Sequence, residues 1–362
     1  MAPPMPAPSS PPQRILLIRP SALGDVCRTV PVLVSLKRAY PDARIDWLVQ
    51  DTFAAAIAHH PDLHRPILFP RSALRRWWTP AGAARALAFL RSLGQASDEA
   101  RPYDMVIDCQ GLFRSALFAR ATRARRRIGY ANAQELGWLF YNVRKHVPRS
   151  LHTVDRMLAL AELAGAQPIP DMRLYPPPDQ QAAIAADPDL AGKRYVVLAP
   201  TTRWPGKRWP IDRFRALADA LLADASLGVD AIVVVGAPGE RLQCAPLIDP
   251  APPGIIDRVG RTSVGGLMAL IERAALVVAS DSAALHIAVG LDRPAIGLFG
   301  PTDLTRVGPY RRPDAAIQHI TPTDTLNHKD EPTGRALMDR ITTPEVLTRA
   351  KTLLTSPQPT RA

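Results

Sequence analysis

Residues 14–31 read RILLIRPSALGDVCRTVP. An apolar run from Ile15 to Ile18 meets a loop carrying Gly24, and apolar residues then recur at Val26, Val30 and Leu33. This is the strand, loop and helix that open a nucleotide-binding α/β unit. The loop has neither the G-x-G-x-x-G nor the Walker glycines that would bring bare amides up to a phosphate. Instead Asp25 follows Gly24 directly and places a negative charge there. Two readings of Asp25 stand side by side. It is an N-cap, since Asp is among the best capping residues, or it is a carboxylate at the carboxyl edge of a sheet that accepts a proton from a hydroxyl nucleophile. The second reading requires surroundings that lift its basicity towards working pH.

The same rhythm continues outward from this stretch in RIDWLVQ (44–50), YDMVIDCQG (103–111) and RRIGY (126–130). Across 166–192 the texture changes: AQPIPDMRLYPPPDQQ sets prolines where no helix or central strand runs through them. The rhythm then restarts with RYVVLAP (194–200), DAIVVVGAPG (230–239), ALVVASDS (275–282) and AIGLFGP (295–301). Two sets of β/α units predict two doubly wound, Rossmann-like domains of parallel sheet facing one another, with ligands beyond the carboxyl ends of the strands. A length of 362 residues agrees with two domains at about 150 residues each. The expected boundaries are a disordered leader over 1–13 (MAPPMPAPSSPPQ), a first domain over 14–175, a linker over 176–192 and a second domain over 193–340. A helix within 341–362 (TTPEVLTRAKTLL) is expected to pack back towards the first domain.

The net charge of +12 predicts an anionic partner, and much of it lies in RSALRRWW (71–78), RATRARRRIGY (120–130) and NVRKH (142–146). Nucleic acid, phosphorylated lipid and sugar nucleotide all fit that charge. An aromatic share of 6% and the lack of a recognisable nucleic-acid module argue against a nucleic-acid-binding protein. The missing G-x-G-x-x-G argues against a Rossmann dehydrogenase. Cys27, Cys109 and Cys244 are scattered without a C-x-x-C pair, which indicates neither a disulfide framework nor a cysteine zinc site and points to a reducing cytosol. The leader lacks the charge and apolar core of a signal peptide, and no run of about 18 apolar residues is present to span a membrane. His59 and His60 lack a second ligand pair and read as surface residues, while DPD (187–189) reads as turn chemistry rather than a metal-binding D-x-D.

The strand-end loops of the second half carry the complementary chemistry. Thr201, Thr202 and Lys207 in LAPTTRWPGKRWP (198–210) suit a diphosphate, with a solvated loop lysine as the alternative. Glu240 in GAPGE (236–240) stands where an acid could bind ribose hydroxyls, or simply begins a helix. In ASDSAALHIAVGLDRPAIGLFGPTD (279–303), Asp281 could grip sugar hydroxyls, and Ser282, Ala283 and His286 line the start of a helix whose amides suit an anion. Capping for Asp281 and core packing for His286 are the alternatives.

Taken in order, ALGDVCRTVPVL, DCQGLFRSAL, LFYNVRKH with HTVDRMLAL, TTRWPGKRWP, VVGAPGE, SDSAALHIAVGLDRPAIGLFGPTD and MDRITTPEVL cover nearly the whole chain after residue 13. This set resembles the ADP-heptose:lipopolysaccharide heptosyltransferases, glycosyltransferase family 9, with the two-domain GT-B fold across a cleft. The resemblance implies inverting transfer of heptose from ADP-L-glycero-D-manno-heptose to the inner core of lipopolysaccharide. On it, Asp25 matches the general base, Lys207 the phosphate-binding and catalytic lysine, and Glu240 the ribose-binding acid. Asp281 and Ser282 match the sugar-and-phosphate loop, with Thr201, Thr202, Ala283 and His286 beside the donor. Arg71, Arg75 and Arg76 lie where the family presents basic residues to an anionic lipid A-Kdo or inner-core acceptor. The resemblance further implies no cofactor, no essential metal and no nucleic acid partner, and a cytoplasmic enzyme peripheral on the inner membrane surface. Two departures are Ala283, where glycine is common, and the length of the TTRWPGKRWP loop.

Overall fold

A computed structural model describes residues 10–72, 78–95, 102–250 and 252–356. The chain divides into two units, Met1–Asp171 and Met172–Ala362.

In the first unit the strands are β1 (Arg14–Ile18), β2 (Arg44–Gln50), β3 (Arg65–Phe69), β4 (Met105–Asp108), β5 (Arg126–Tyr130) and β6 (Val143–Lys145), with helices α1 (Leu23–Ala39), α2 (Pro80–Gln95), α3 (Phe113–Ala121) and α4 (Thr153–Leu163). The sheet is parallel throughout, in the order β3-β2-β1-β4-β5-β6. All five residues of β1 and all four of β4 are buried, because both faces of a parallel sheet are covered. Chain order reverses between β1 and β4, which opens a crevice at their carboxyl ends.

The second unit begins with α5 (Pro178–Ala185) and continues through strands β7 (Tyr195–Ala199), β8 (Ala231–Val234), β9 (Ile255–Asp257), β10 (Leu276–Ser280), β11 (Ala295–Phe299) and β12 (Ala316–Gln318). Its other helices are α6 (Ile211–Ala223), α7 (Arg241–Ile248), α8 (Val264–Arg273), α9 (Ala283–Gly290), α10 (Leu304–Val307), α11 (Glu331–Asp339) and α12 (Thr343–Thr355). The order β12-β11-β10-β7-β8-β9 repeats the first sheet's connectivity, so the reversal falls between β7 and β10. A separate core of Phe214, Leu217, Leu221, Leu276, Val278 and Leu298 supports it.

Four expectations need correction. The expected linker over 176–192 is part of the second unit: the prolines end with Pro177 at the N-cap and Pro178 at the first helical position, where a missing N–H costs nothing, and α5 runs on to pack against α8. The C-terminal helix does not keep its apolar face for the first domain, since Val346, Ala350 and Leu354 of α12 lie in the second unit's own core. His60 is buried, its Nδ1 accepting the Asp62 N–H at 3.2 Å, whereas His59 is exposed. Within the expected leader, Gln13 is already fixed, its N–H donating to Asp104 at 2.8 Å; residues 1–9 lie outside the described residues.

Asp187 and Asp189 form a turn and both pair with Arg258, at 2.7 and 2.9 Å. The three cysteines are free and buried, and burial pushes the Cys27 and Cys244 thiols up to about 12. Among the described residues no helix is long and apolar enough to cross a membrane, and no cluster of three or more potential ligands could hold a metal.

Candidate active site

Asp25 occupies the third position of α1 rather than its N-cap, which is Ala22. Its carboxylate is 24% exposed and lies between two guanidiniums, Arg19 at 2.7 Å and Arg28 at 2.5 Å. Burial by itself would raise this carboxyl, but Arg19 and Arg28 outweigh it and hold Asp25 well below the usual carboxylate range. The lifted basicity expected from sequence is therefore corrected: Asp25 is an ionised, weakly basic carboxylate.

Asp108, at the end of β4, builds the adjoining wall. Its Oδ1 accepts the N–H groups of Gln110 at 2.8 Å and Gly111 at 3.2 Å, and its Oδ2 accepts the Tyr141 hydroxyl at 2.7 Å. Gly111 has a φ of +70°, and a Cβ there would lie 2.9 Å from the Tyr130 ring, so this tight loop needs glycine. The loop's Cys109 carbonyl accepts from Arg19 at 2.5 Å. Asp108 thus shapes the loop that anchors Arg19, and Arg19 holds Asp25.

These groups open onto a polar cavity of about 360 Å³ within the first unit, lined by Asp25, Arg19, Gln110, Asn132, Arg149 and Arg156 among others. Gln110 Oε1 and Asn132 Oδ1 are buried without a hydrogen-bond partner among the described residues. Buried acceptors of this kind call for donors. With the arginines beside them, the cavity suits a polyhydroxylated anion.

The second unit assembles its residues at the β7–β10 reversal. Lys207, in a 3-10 turn over Pro205–Lys207, donates to Asp281 Oδ2 at 2.6 Å; the two side chains are 15% and 10% exposed. The Thr302 hydroxyl donates to the same oxygen at 2.8 Å. Burial would raise Asp281, but Lys207, Thr302 and His286 together lower it. The Thr201 hydroxyl donates to Glu240 Oε2 at 2.6 Å, as does the Ala237 N–H at 2.7 Å, which joins the loops after β7 and β8. Thr202 stays local, accepting the Trp204 N–H at 3.2 Å and donating to the Trp204 carbonyl at 2.8 Å. Ser282 is the N-cap of α9 but makes no capping bond, and its Oγ is buried without a hydrogen-bond partner among the described residues. Ala283 is the first residue of α9, and His286 is buried on that helix. A hydroxyl left open at a helix N-terminus, beside an ammonium with one of its three donors engaged among the described residues, can receive a phosphate.

The structure thus groups Asp25 with one crevice and Thr201, Lys207, Glu240, Asp281 and Ser282 with the other. Arg71 is not in either group: it is exposed, with one long bond to Gln50 at 3.4 Å, and lines a separate apolar groove. Arg75 and Arg76 lie outside the described residues. Sequence reading missed Arg19, Arg28, Asp108, Gln110, Asn132 and Arg149. Only Arg28 carried a local signal, as a basic residue one helical turn after Asp25.

The sequence profile of glycosyltransferase family 9 (heptosyltransferase) matches residues 88–334. The chain belongs to glycosyltransferase family 9. Lipopolysaccharide heptosyltransferase 1 of Escherichia coli K12 is 32% identical to this glycosyltransferase, over 82% of this chain and 91% of that protein. The protein of the same name from Pseudomonas aeruginosa is 31% identical, over 83% and 82%. The structure of E. coli heptosyltransferase WaaC with ADP superposes with a TM-score of 0.72 at 26% identity, covering 94% of this chain and 99% of that one. The family 9 enzyme accordingly has the GT-B fold, two Rossmann-ordered units in one chain.

Proposed function

We propose that this glycosyltransferase moves a heptose from ADP-heptose to the acidic inner core of lipopolysaccharide, with inversion and with Asp25 as base. The heptosyl group and the lipopolysaccharide acceptor follow the names of the relatives above, and the ADP carrier follows the ADP bound to the E. coli enzyme. The observation that carries the reading is an ionised carboxylate at the mouth of a polar cavity that offers both cations and unsatisfied acceptors.

The acceptor hydroxyl attacks the anomeric carbon, the bond from that carbon to the ADP oxygen breaks, and the hydroxyl proton passes to Asp25. An alcohol becomes acidic as its oxygen forms the new bond, so a weakly basic carboxylate suffices, provided that it is ionised from the start. Gln110 and Asn132 accept from acceptor hydroxyls, and Arg149 and Arg156 meet its negative charge. The charge developing on ADP is received by Lys207, Ser282 and the first amides of α9, and Glu240 binds the ribose. Lys207 and the amides supply this stabilisation without a cofactor. On this reading the acceptor's lipid anchor brings the work to a membrane surface, for which we propose the cytoplasmic face of the inner membrane.

Mass spectrometry of a reaction with ADP-heptose and a water-soluble, deacylated Kdo-bearing acceptor tests the reading, the expected product being heavier by one heptose. Asp25→Asn should lower turnover by about 10²- to 10⁴-fold while ADP affinity is retained. Transfer from a different nucleotide sugar alone would overturn the donor assignment, and undiminished turnover by the variant would remove Asp25 from the base role.

A further inference from the structure

Helix α2 is the least covered helix of the first unit. Of its sixteen residues only Gly82 and Leu93 are buried, although its sequence, PAGAARALAFLRSLGQ, is mostly apolar. Beside it runs α3, and between the two helices lies a groove of about 1150 Å³ whose lining includes Leu87 and Phe89 from α2 and Phe113 and Leu117 from α3. Leu87 is 47% exposed and Phe113 45%, and Trp78, just ahead of α2, is also exposed. A second depression of about 260 Å³ continues the trough, for it shares Leu90 and Leu117 with the groove and adds Arg91, Arg120 and Arg123.

Charge decides what covers this surface. Residues 78–95 and 111–127 together carry eight arginines and no acidic residue. Arg85, Arg91, Arg120 and Arg123 are exposed and form no ion pair with a described residue. Among the described residues, the acids at its rim are Asp51, in the groove lining, and Glu135, which accepts the Phe113 N–H at 3.2 Å. An apolar strip edged by exposed arginines that pair with no described acid is the composition of a helix that lies in the plane of a membrane interface, with its apolar side among acyl chains and its guanidiniums at phosphates. Two copies of this surface would repel each other, whereas an anionic leaflet meets both components.

We infer that the α2–α3 surface docks the enzyme on an anionic phospholipid bilayer, with Leu87 and Phe113 inserting and Arg91 and Arg120 at lipid phosphates. The inference rests on the proposed reading that the acceptor is membrane-embedded, and it adds the surface by which the enzyme reaches it.

Flotation of the full-length protein with vesicles tests it. Vesicles containing phosphatidylglycerol should bind at least about tenfold more protein than phosphatidylcholine vesicles, and added salt should release it. Leu87→Asp with Phe113→Asp, and separately Arg91→Glu with Arg120→Glu, should each reduce binding by at least about tenfold. Turnover on the deacylated, water-soluble acceptor should be unchanged in both. A readout needing no substitution is amide exchange, which should slow across 80–95 when anionic vesicles are added. The inference is overturned by equal binding to both vesicle types, by variants that bind like the parent, by unchanged exchange in α2, or by self-association of the parent that the variants lose. Heptose transfer without vesicle binding would sink this surface alone, and vesicle binding without heptose transfer would sink the donor and acceptor assignment.

Discussion

Two guanidiniums around one carboxylate give Asp25 a pH behaviour opposite to that of a general base tuned to neutrality. Held below the usual range by Arg19 and Arg28, it stays ionised until the medium is more acidic than the ordinary aspartate value of about 3.9. The acid limb of kcat/KM due to Asp25 should therefore fall below about pH 4, and a limb near pH 6 to 7 would assign the proton to another group. Asp281 is lowered in the same direction. For both, the folded-state value lies below the unfolded one, so the stability they contribute is present above about pH 4 and is lost as pH falls through the folded values. Urea midpoints should drop steeply below pH 4, and Asp281→Asn should flatten that drop while costing about 3 kcal/mol at pH 7, because Lys207 is left in a nearly buried site without its counter-charge. Asp25, Lys207, Glu240 and Asp281 were legible because each lies in the stretch that follows an apolar run, Asp281 immediately after β10 and the others within eight residues of their strands. Arg149 and Asn132 were not: they reach the cavity only through the pairing of β4, β5 and β6, which brings distant residues side by side and leaves no local pattern.

At the scale of elements, the strands that sequence periodicity found are β1, β2, β4, β5, β7, β8, β10 and β11, and those it missed are β3, β6, β9 and β12. The missed four are the edges of the two sheets. A central strand is covered on both faces and reads as an unbroken apolar run, while an edge strand is short and part-exposed, as in VRK of β6 and AIQ of β12. The proline stretch misled for a related reason, since the same residues that bar a helix from passing through can start one at Pro178. One element contact bears on the loop proposed to hold the donor. Gly334 of α11 lies so close to the turn before Lys207 that a Cβ there would stand 2.8 Å from Gly206 Cα. Gly334→Ala should push the Lys207 turn outwards, weakening ADP binding by about tenfold and stability by about 1 to 3 kcal/mol, the range for overpacking. Isothermal titration with ADP and thermal unfolding would read the two effects, and unchanged values for both would show that the turn yields freely.

Across the whole molecule, each unit has a sheet and a core of its own. The groups proposed to bind the donor belong entirely to Met172–Ala362 and the Asp25 cavity entirely to Met1–Asp171. ADP at about 100 times its dissociation constant should stabilise the second unit by about 2.7 kcal/mol. Calorimetry should then resolve a transition that moves with ADP from one that does not, whereas a single peak shifting as a unit would show the cores to be coupled. The repeated strand order has a consequence for descent as well as for folding. Because either half can change its strand-end loops without disturbing the scaffold of the other, selection can retune what is given and what receives it on separate occasions, and relatives that differ in one preference need not differ in the other.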